Sequence, residues 1–288
     1  MKYSLMTTTM VLDLLSESMT GIPKLQIQKK YADMMEMIAS IGISAVEITT
    51  LELDLFGMDV VKQILNESHL KAGGFVHMDT FAHTDSKISQ ELAASAMRRI
   101  DDALCLGADN LMLGLMAQDD VSAHSPEELT NALIQNIRPV AEYGMKKGIK
   151  ISVEDTPDIR LPLCDTADTK ILLDAIPELY LTFDTGNMLL KHDAPLSYLE
   201  AFQDRICNVH LKDICYPAPG QPGDTDVDGK VIAGCQHGCG LIDFAKIGNR
   251  LKSMNYNGNA VIEYIGHSRD NHAVRIREAY LFLQDQIG

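Results

Sequence analysis

The chain has 288 residues and a formal net charge of −15. An acidic chain without a basic stripe lacks the charge that binds phosphate backbones, so we expect no nucleic-acid partner. No apolar run approaches the ~18 residues that a membrane span requires, and we therefore expect no membrane partner either.

The composition, with 46% hydrophobic and 23% charged residues, is typical of a globular protein. The six cysteines are spread along the chain, which favours reduced thiols over a disulfide framework. The first residues, MKYSLMTTTMVLD, have one lysine and an early Asp13, which is unlike a signal peptide. We expect a cytoplasmic protein with a single domain over residues 1–288.

Strand-like and helical segments alternate along the chain. The predicted strands cover residues 3–10, 44–49, 72–78, 110–115, 149–154, 179–184, 206–213 and 259–265. The predicted helices cover residues 25–40, 57–68, 88–106, 126–148, 166–175, 194–204, 243–254 and 270–285. In the first helix, one stripe at helical spacing carries Leu25, Tyr31, Met34, Met35 and Ile38.

Eight apolar strands that alternate with helices predict a parallel sheet covered by helices. Eight units of about 36 residues each fit a (β/α)8 TIM barrel. A doubly wound open sheet is the alternative, but it usually has a glycine-rich turn after the first strand. The sequence TTTM offers no such turn.

Acids and imidazoles recur where the predicted strands end, which is where barrels of this kind place their active sites. Four consecutive strands contribute one each, namely Glu154, Asp184, His210 and Glu263. Neighbouring strands lie about 4.8 Å apart, so these side chains can converge. One imidazole and three carboxylates suit Mn²⁺ first, and also Mg²⁺, Co²⁺ or Zn²⁺. The alternative is that each acid is separately paired in a salt bridge.

The segments VEDT, LTFDTGN, VHLKD, GCGLIDF and VIEY resemble the strand ends of the xylose isomerase-like barrels. That superfamily includes ketose 3-epimerases, sugar-phosphate epimerases, hydroxypyruvate isomerases, inosose dehydratases and the endonuclease IV group. The resemblance implies one divalent metal ion held by Glu154, Asp184, His210 and Glu263. It also implies that Glu154 and Glu263 act as proton-transfer bases. Members of the superfamily often pair through their barrel faces, but the sequence leaves open whether this chain forms a homo-oligomer.

The leading hypothesis is a metal-dependent isomerase or epimerase of a sugar or sugar phosphate. It removes a proton next to a carbonyl and passes through an ene-diolate. A dehydratase or lyase acting on a keto-sugar or inosose is the main alternative. A non-catalytic sugar-binding barrel and an endonuclease IV-like nuclease are further alternatives. Asn187 stands where many family members have histidine, which disfavours a nuclease with several zinc ions.

Further residues near the strand ends are predicted to bind substrate. They are Glu47, His77, Asn187, Lys212, Asp213 and His237. The chain has no tryptophan, so Phe81 or Tyr216 would have to supply a surface for stacking on a sugar. The acidic motif DTDVDG at 224–229 predicts a lid over the site, since the twelfth position of a calcium loop would be Cys235. CQHGC at 235–239 is a weak match to a zinc site.

Overall fold

Eight parallel strands form a closed barrel in the computed structural model, which describes residues 1–264 and 271–288. The barrel strands are β1 (Lys2–Met6), β2 (Ala45–Thr49), β3 (Lys71–Asp79), β4 (Asn110–Leu115), β5 (Lys150–Glu154), β6 (Leu179–Asp184), β7 (Ile206–Leu211) and β11 (Asn259–Ile262). Their order around the barrel is β1-β11-β7-β6-β5-β4-β3-β2. The predicted (β/α)8 barrel is confirmed.

Ten α-helices in the described part of the chain surround this barrel. They are α1 (Thr8–Ser18), α2 (Lys24–Ile41), α3 (Thr50–Phe56), α4 (Met58–Glu67), α5 (Ser86–Leu106), α6 (Pro126–Lys147), α7 (Thr166–Ala175), α8 (Pro195–Ala201), α9 (Phe244–Ser253) and α10 (His272–Ile287). No helix within residues 1–264 and 271–288 is long and apolar enough to cross a membrane.

The amino-terminal region differs from the prediction. The strand expected at 3–10 ends at Met6, and α1 follows it. Threonine runs favour strands because of their branched Cβ atoms. Here the burial of Val11 and Leu14 on one helix face outweighs that local preference. The helix α3 was also not predicted, although Thr49 and Glu52 form the capping box that starts it.

Three other predictions need adjustment. Leu25 was expected on the buried stripe of α2 but is 75% exposed, and Ile27 lies in the core instead. The strand predicted at 259–265 ends at Ile262, and residue 265 lies outside the described residues. The last helix, predicted at 270–285, covers His272–Ile287, and residue 270 is likewise outside them.

A small antiparallel sheet follows the seventh barrel strand. It consists of β8 (Ile214–Cys215), β9 (Asp224–Thr225) and β10 (Val231–Gly234), and we call residues 214–234 the flap. Within it, Asp226 accepts hydrogen bonds from the backbone N–H groups of Asp228 and Lys230. The acidic motif at 224–229 therefore closes a turn of the flap.

The inside of the barrel is polar beneath its carboxyl-terminal end. Barrel interiors are usually filled with valine, isoleucine and leucine. Here Asn110 donates to Ser152, the hydroxyls of Ser152 and Thr182 lie 2.9 Å apart, and Asn208 donates to Glu47 at 3.0 Å. All five side chains are buried, so this layer is tied together by hydrogen bonds instead of by apolar contact.

Candidate metal centre

Four of the predicted site residues meet at the carboxyl-terminal end of the barrel. Glu154 and Asp184 end β5 and β6, His210 pairs with Asp184 across the β6–β7 register, and Glu263 directly follows β11. Each offers one ligand atom, and these atoms all lie within 4.8 Å of one another. Parallel strands place their carboxyl ends at one edge, which is why the four groups converge.

The burial of these groups calls for a cation. Asp184 and His210 are fully buried, Asp184 Oδ2 has no hydrogen-bond partner among the described residues, and Glu154 Oε1 meets His210 Nδ1 at 2.5 Å without hydrogen-bond geometry. Carboxylates buried beside one another without a partner are strongly unfavourable. Three carboxylate oxygens and one imidazole nitrogen match the ligands of Mn²⁺ or Mg²⁺, and of zinc or cobalt. The residues present therefore fit one divalent ion.

The electrostatics of the two glutamates differ. Burial raises the pKa of Glu154 above its ordinary value, and burial raises the pKa of Asp184 well above it. Burial would raise the pKa of Glu263 too, but Lys212 and His210 outweigh that effect and hold it well below its usual range. Lys212 Nζ lies 3.0 Å from Glu263 Oε1 and explains this difference.

Lys212 is a cation inside the acidic centre. Its Nζ also donates to Asn187 Oδ1 at 3.0 Å, and Asn187 in turn donates to the backbone oxygen of Asp155. Burial alone would lower the pKa of Lys212, but the neighbouring Glu263 and Asp184 raise it above its ordinary value. Asn187 thus holds Lys212 in place, and the ammonium group stays charged.

Glu47 lies beneath the cluster and was predicted to bind substrate. It is fully buried, and its Oε2 lies 2.9 Å from His210 Nε2. Its Oε1 accepts a hydrogen bond from Asn208. Glu47 is on the inner side of His210 and does not line the cavity above the centre.

Asp213 and His237 were also predicted to bind substrate, but in the structure their side chains bond to backbone groups. The Asp213 carboxylate accepts from the N–H groups of Ile214, Gly238, Gly240 and Ile242. His237 Nε2 lies 2.7 Å from the Leu211 carbonyl oxygen. Both side chains are buried and neither lines the cavity, so they fix the chain after β7 and β10.

His77 is turned away from the predicted site. Its neighbours in β3, Val76 and Met78, line the cavity, and successive side chains of a strand point to opposite faces. The His77 ring packs edge-on against Phe81 instead. Phe81 is itself fully buried, and Tyr216 does not line the cavity, so neither forms the predicted stacking surface.

A cavity of 280 Å³ opens above the four ligands. One wall is polar and carries Glu154, Glu263, Lys212, Asn187 and Asp158. The opposite wall is formed by apolar residues of β1, β3 and β4 and of the segment that follows β4: Met6, Val76, Met78, Met112, Leu115 and Ala117. This apolar wall was not predicted from the sequence. The alternation of inward residues in these strands could have indicated it, once the strand register was known.

Two other cavities, of 360 and 450 Å³, are larger than this one. The first lies at the amino-terminal end of the barrel, beside Lys2 and Asn259, and the second lies beside α1 and α2. Neither is lined by any of the four convergent ligands. Because chemistry decides between cavities of similar size, we assign the site to the cavity above the metal ligands.

The fold and the site define a (β/α)8 barrel with an acidic metal centre at the carboxyl ends of its strands. The family model described as "Xylose isomerase-like TIM barrel" matches residues 35–286. The chain belongs to this family.

One curated relative is an inosose dehydratase of Clostridium botulinum (strain Alaska E43 / Type E3). It is 27% identical over 150 residues, which cover 50% of this chain and 50% of the relative. The match thus spans about half the length of that protein.

Two solved structures share the fold over nearly their whole length. The probable 3-DHS dehydratase AsbF from Bacillus anthracis has a TM-score of 0.72 at 14% identity and covers 99% of both chains. The IOLI protein with a bound zinc atom has a TM-score of 0.75 at 15% identity, covering 100% of this chain and 98% of that one. These likenesses show the fold.

Proposed function

We propose that this protein is a divalent-metal-dependent enzyme that removes a proton next to the carbonyl of a small carbohydrate, and that loss of water completes the reaction. One observation carries the first part. Of the four ligands, only Glu154 and Glu263 line the cavity, whereas Asp184 and His210 are sealed beneath it. Two carboxylates can therefore serve both the metal and the substrate.

A divalent ion in this centre would polarise a carbonyl and its neighbouring hydroxyl, which lowers the barrier to losing the proton between them. Mn²⁺ is the first candidate on the donor set. Glu154 and Glu263 are the groups that can accept the proton, since both reach the cavity. The apolar wall opposite them excludes water from the reacting face and packs against the C–H groups of the substrate.

Lys212 favours dehydration as the outcome. Its ammonium group lines the cavity and lies 3.0 Å from Glu263 Oε1, so an acid stands beside a base. Elimination of water needs a proton on the departing hydroxyl. A divalent ion in the centre would offset the carboxylates that raise the pKa of Lys212, so that Lys212 can donate this proton. The relative named inosose dehydratase supports this choice and supplies the substrate class to try first, a keto-inositol.

Epimerisation, the leading hypothesis from the sequence, is the second candidate. It would use Glu154 and Glu263 as two bases on opposite faces of one carbon. The support for it is that both carboxylates flank the same imidazole, with Glu154 Oε1 2.5 Å and Glu263 Oε2 3.6 Å from His210 Nδ1. The two reactions share the proton removal and differ in the step after it, which is either loss of a hydroxyl group or return of a proton.

The test is incubation of the metal-loaded protein with an inosose and with ketoses in D₂O, followed by proton NMR and mass spectrometry. Dehydration gives a product lighter by one water molecule, whereas epimerisation gives an isomer that carries deuterium at one carbon. The variants Glu154→Gln and Glu263→Gln should lose both signals. The matched control is Glu52→Gln, since Glu52 is fully buried but contacts no ligand.

Deuterium uptake that persists undiminished in both Glu154→Gln and Glu263→Gln would contradict the proposed chemistry. Substrate binding to the metal-loaded protein without turnover of any keto-sugar would favour the non-catalytic alternative.

A further inference from the structure

A buried carboxylate stands behind the imidazole of the metal centre. Glu47 is in β2, three strands away from β5 around the barrel, and its side chain is fully buried. Its Oε1 is occupied by the amide of Asn208. Its Oε2 lies 2.9 Å from His210 Nε2, although the ring N–H is not aligned with it, and Oε2 has no hydrogen-bond partner among the described residues.

The two nitrogens of His210 face different groups. Nδ1 faces Glu154 and Glu263, which are candidate metal ligands. Nε2 faces Glu47 Oε2 and the amide nitrogen of Asn208, which is a donor. A neutral imidazole has one N–H and one free lone pair. Carboxylates face both nitrogens, so the metal decides between them. An ion bound at Nδ1 would take the lone pair there; the proton then belongs on Nε2, and Glu47 Oε2 is the carboxylate oxygen that faces it.

The backbone is shaped to let Glu47 reach this position. The pairing of β2 with β3 shifts by one residue between Val46 and Glu47, so that Val46 pairs with Ala72 and Glu47 with Gly74. Such bulges commonly redirect a side chain next to a site. A Cβ on Gly74 would lie 2.8 Å from Glu47 Oε1 and 3.1 Å from Asn110 Oδ1, so only glycine leaves room here.

We infer that Glu47 is a positioning residue for the metal centre: it holds His210 with Nδ1 directed at the metal and its proton on Nε2. The inference rests on the metal site of the proposed function. Carboxylates behind metal-bound histidines fix the tautomer and raise the basicity of the ligand. Glu47 touches neither the cavity nor the substrate, so it acts through His210.

The experiment measures the affinity of the metal-free protein for Mn²⁺ by calorimetric titration. Glu47→Gln should weaken binding by roughly 10- to 100-fold, the range seen when an outer partner of a ligand is lost. Glu52→Gln is the matched control, a second fully buried glutamate whose partners are Thr7, Thr49 and Tyr31. It should leave the affinity unchanged.

A second variant displaces Glu47 without removing it. Gly74→Ala should weaken Mn²⁺ binding as Glu47→Gln does, because the added methyl group pushes the carboxylate from its place. If these variants fail to fold, the two-bond ¹H–¹⁵N spectrum of the zinc-loaded wild type still decides. It should show the His210 proton on Nε2.

The outcomes separate this inference from the proposed function. Wild-type protein that binds no metal would overturn both. Wild-type protein that binds Mn²⁺ with the same affinity as Glu47→Gln would overturn the role of Glu47 alone and leave the proposed function standing. A proton on Nδ1 of His210 in the zinc-loaded protein would also overturn it.

Discussion

Glu52 and the carboxylates of the metal centre have opposite surroundings. Glu52 is fully buried, but its oxygens accept hydrogen bonds from Thr7, Thr49 and Tyr31. The carboxylates of the metal centre face one another, and Asp184 Oδ2 has no donor among the described residues. A buried acid surrounded by donors supports the fold, whereas buried acids that converge on one another require a cation.

The largest expected effect comes from removing the most buried ligand. Asp184→Asn should reduce turnover by more than the roughly 100-fold typical of losing an outer-shell partner, because it removes a direct ligand. The amide still fits the space and can accept the backbone N–H groups of Gly186 and Asn187. Turnover of the identified keto-sugar checks this. Asp174→Asn, away from the cavity and paired with Lys170, is the control.

The next largest effect is expected from replacing Lys212, whose ammonium group lies in the polar wall of the cavity. Lys212→Gln should slow dehydration by about 100-fold, the lower range for loss of a general acid, while exchange of the substrate proton with D₂O continues. The ratio of product formed to deuterium incorporated measures this split. Lys191→Gln removes a lysine bound to Asp165 and Asp168 away from the cavity and should change neither rate. Equal loss of both rates in Lys212→Gln would contradict the role as acid.

Glu52 should contribute to the dependence of the free energy of unfolding on pH. Burial raises the pKa of Glu52 from 4.5 to about 7. Between these values the folded protein keeps a proton that the unfolded chain has lost, so stability falls as pH rises through this window. The fall is about 3 kcal/mol and is complete above the folded pKa.

Glu52→Gln should remove that part of the pH dependence. Urea unfolding of wild type and variant at pH values on either side of the window measures it. An identical slope in the two proteins would show that Glu52 does not titrate as proposed.

The smallest expected effect is the stabilisation of the folded protein by the bound metal ion. A metal ion that relieves the repulsion in the centre binds the folded protein and not the unfolded chain. At a metal concentration of 100 times the dissociation constant, the stabilisation is about 2.7 kcal/mol. Thermal unfolding with and without Mn²⁺ checks this, and Asp184→Asn should show no shift. A shift that survives in Asp184→Asn would point to binding elsewhere.

Much of the architecture could be predicted from the sequence because strand-forming and helical segments alternate with little interruption. The positions of Glu154, Asp184, His210 and Glu263 followed from the ends of predicted strands, and the structure brings them together. The start of α3 is also indicated by the sequence, since Thr49 and Glu52 have the spacing of a capping box.

The remaining features depend on contacts between distant parts of the chain. Glu47 and His210 are 163 positions apart, and only the closed barrel shows that one stands behind the other. His77 lies on the outer face of β3 while Val76 and Met78 line the cavity, because one residue of register decides which side of a strand faces inward. The role of Asp213 depends on four backbone N–H groups whose directions no sequence pattern gives.

The most direct test of the central claim is calorimetric titration of the metal-free protein with Mn²⁺, in the wild type and in Asp184→Asn. The metal centre predicts about one bound ion per chain in the wild type and no measurable binding in the variant. No binding in the wild type, or binding that Asp184→Asn leaves unchanged, would contradict it.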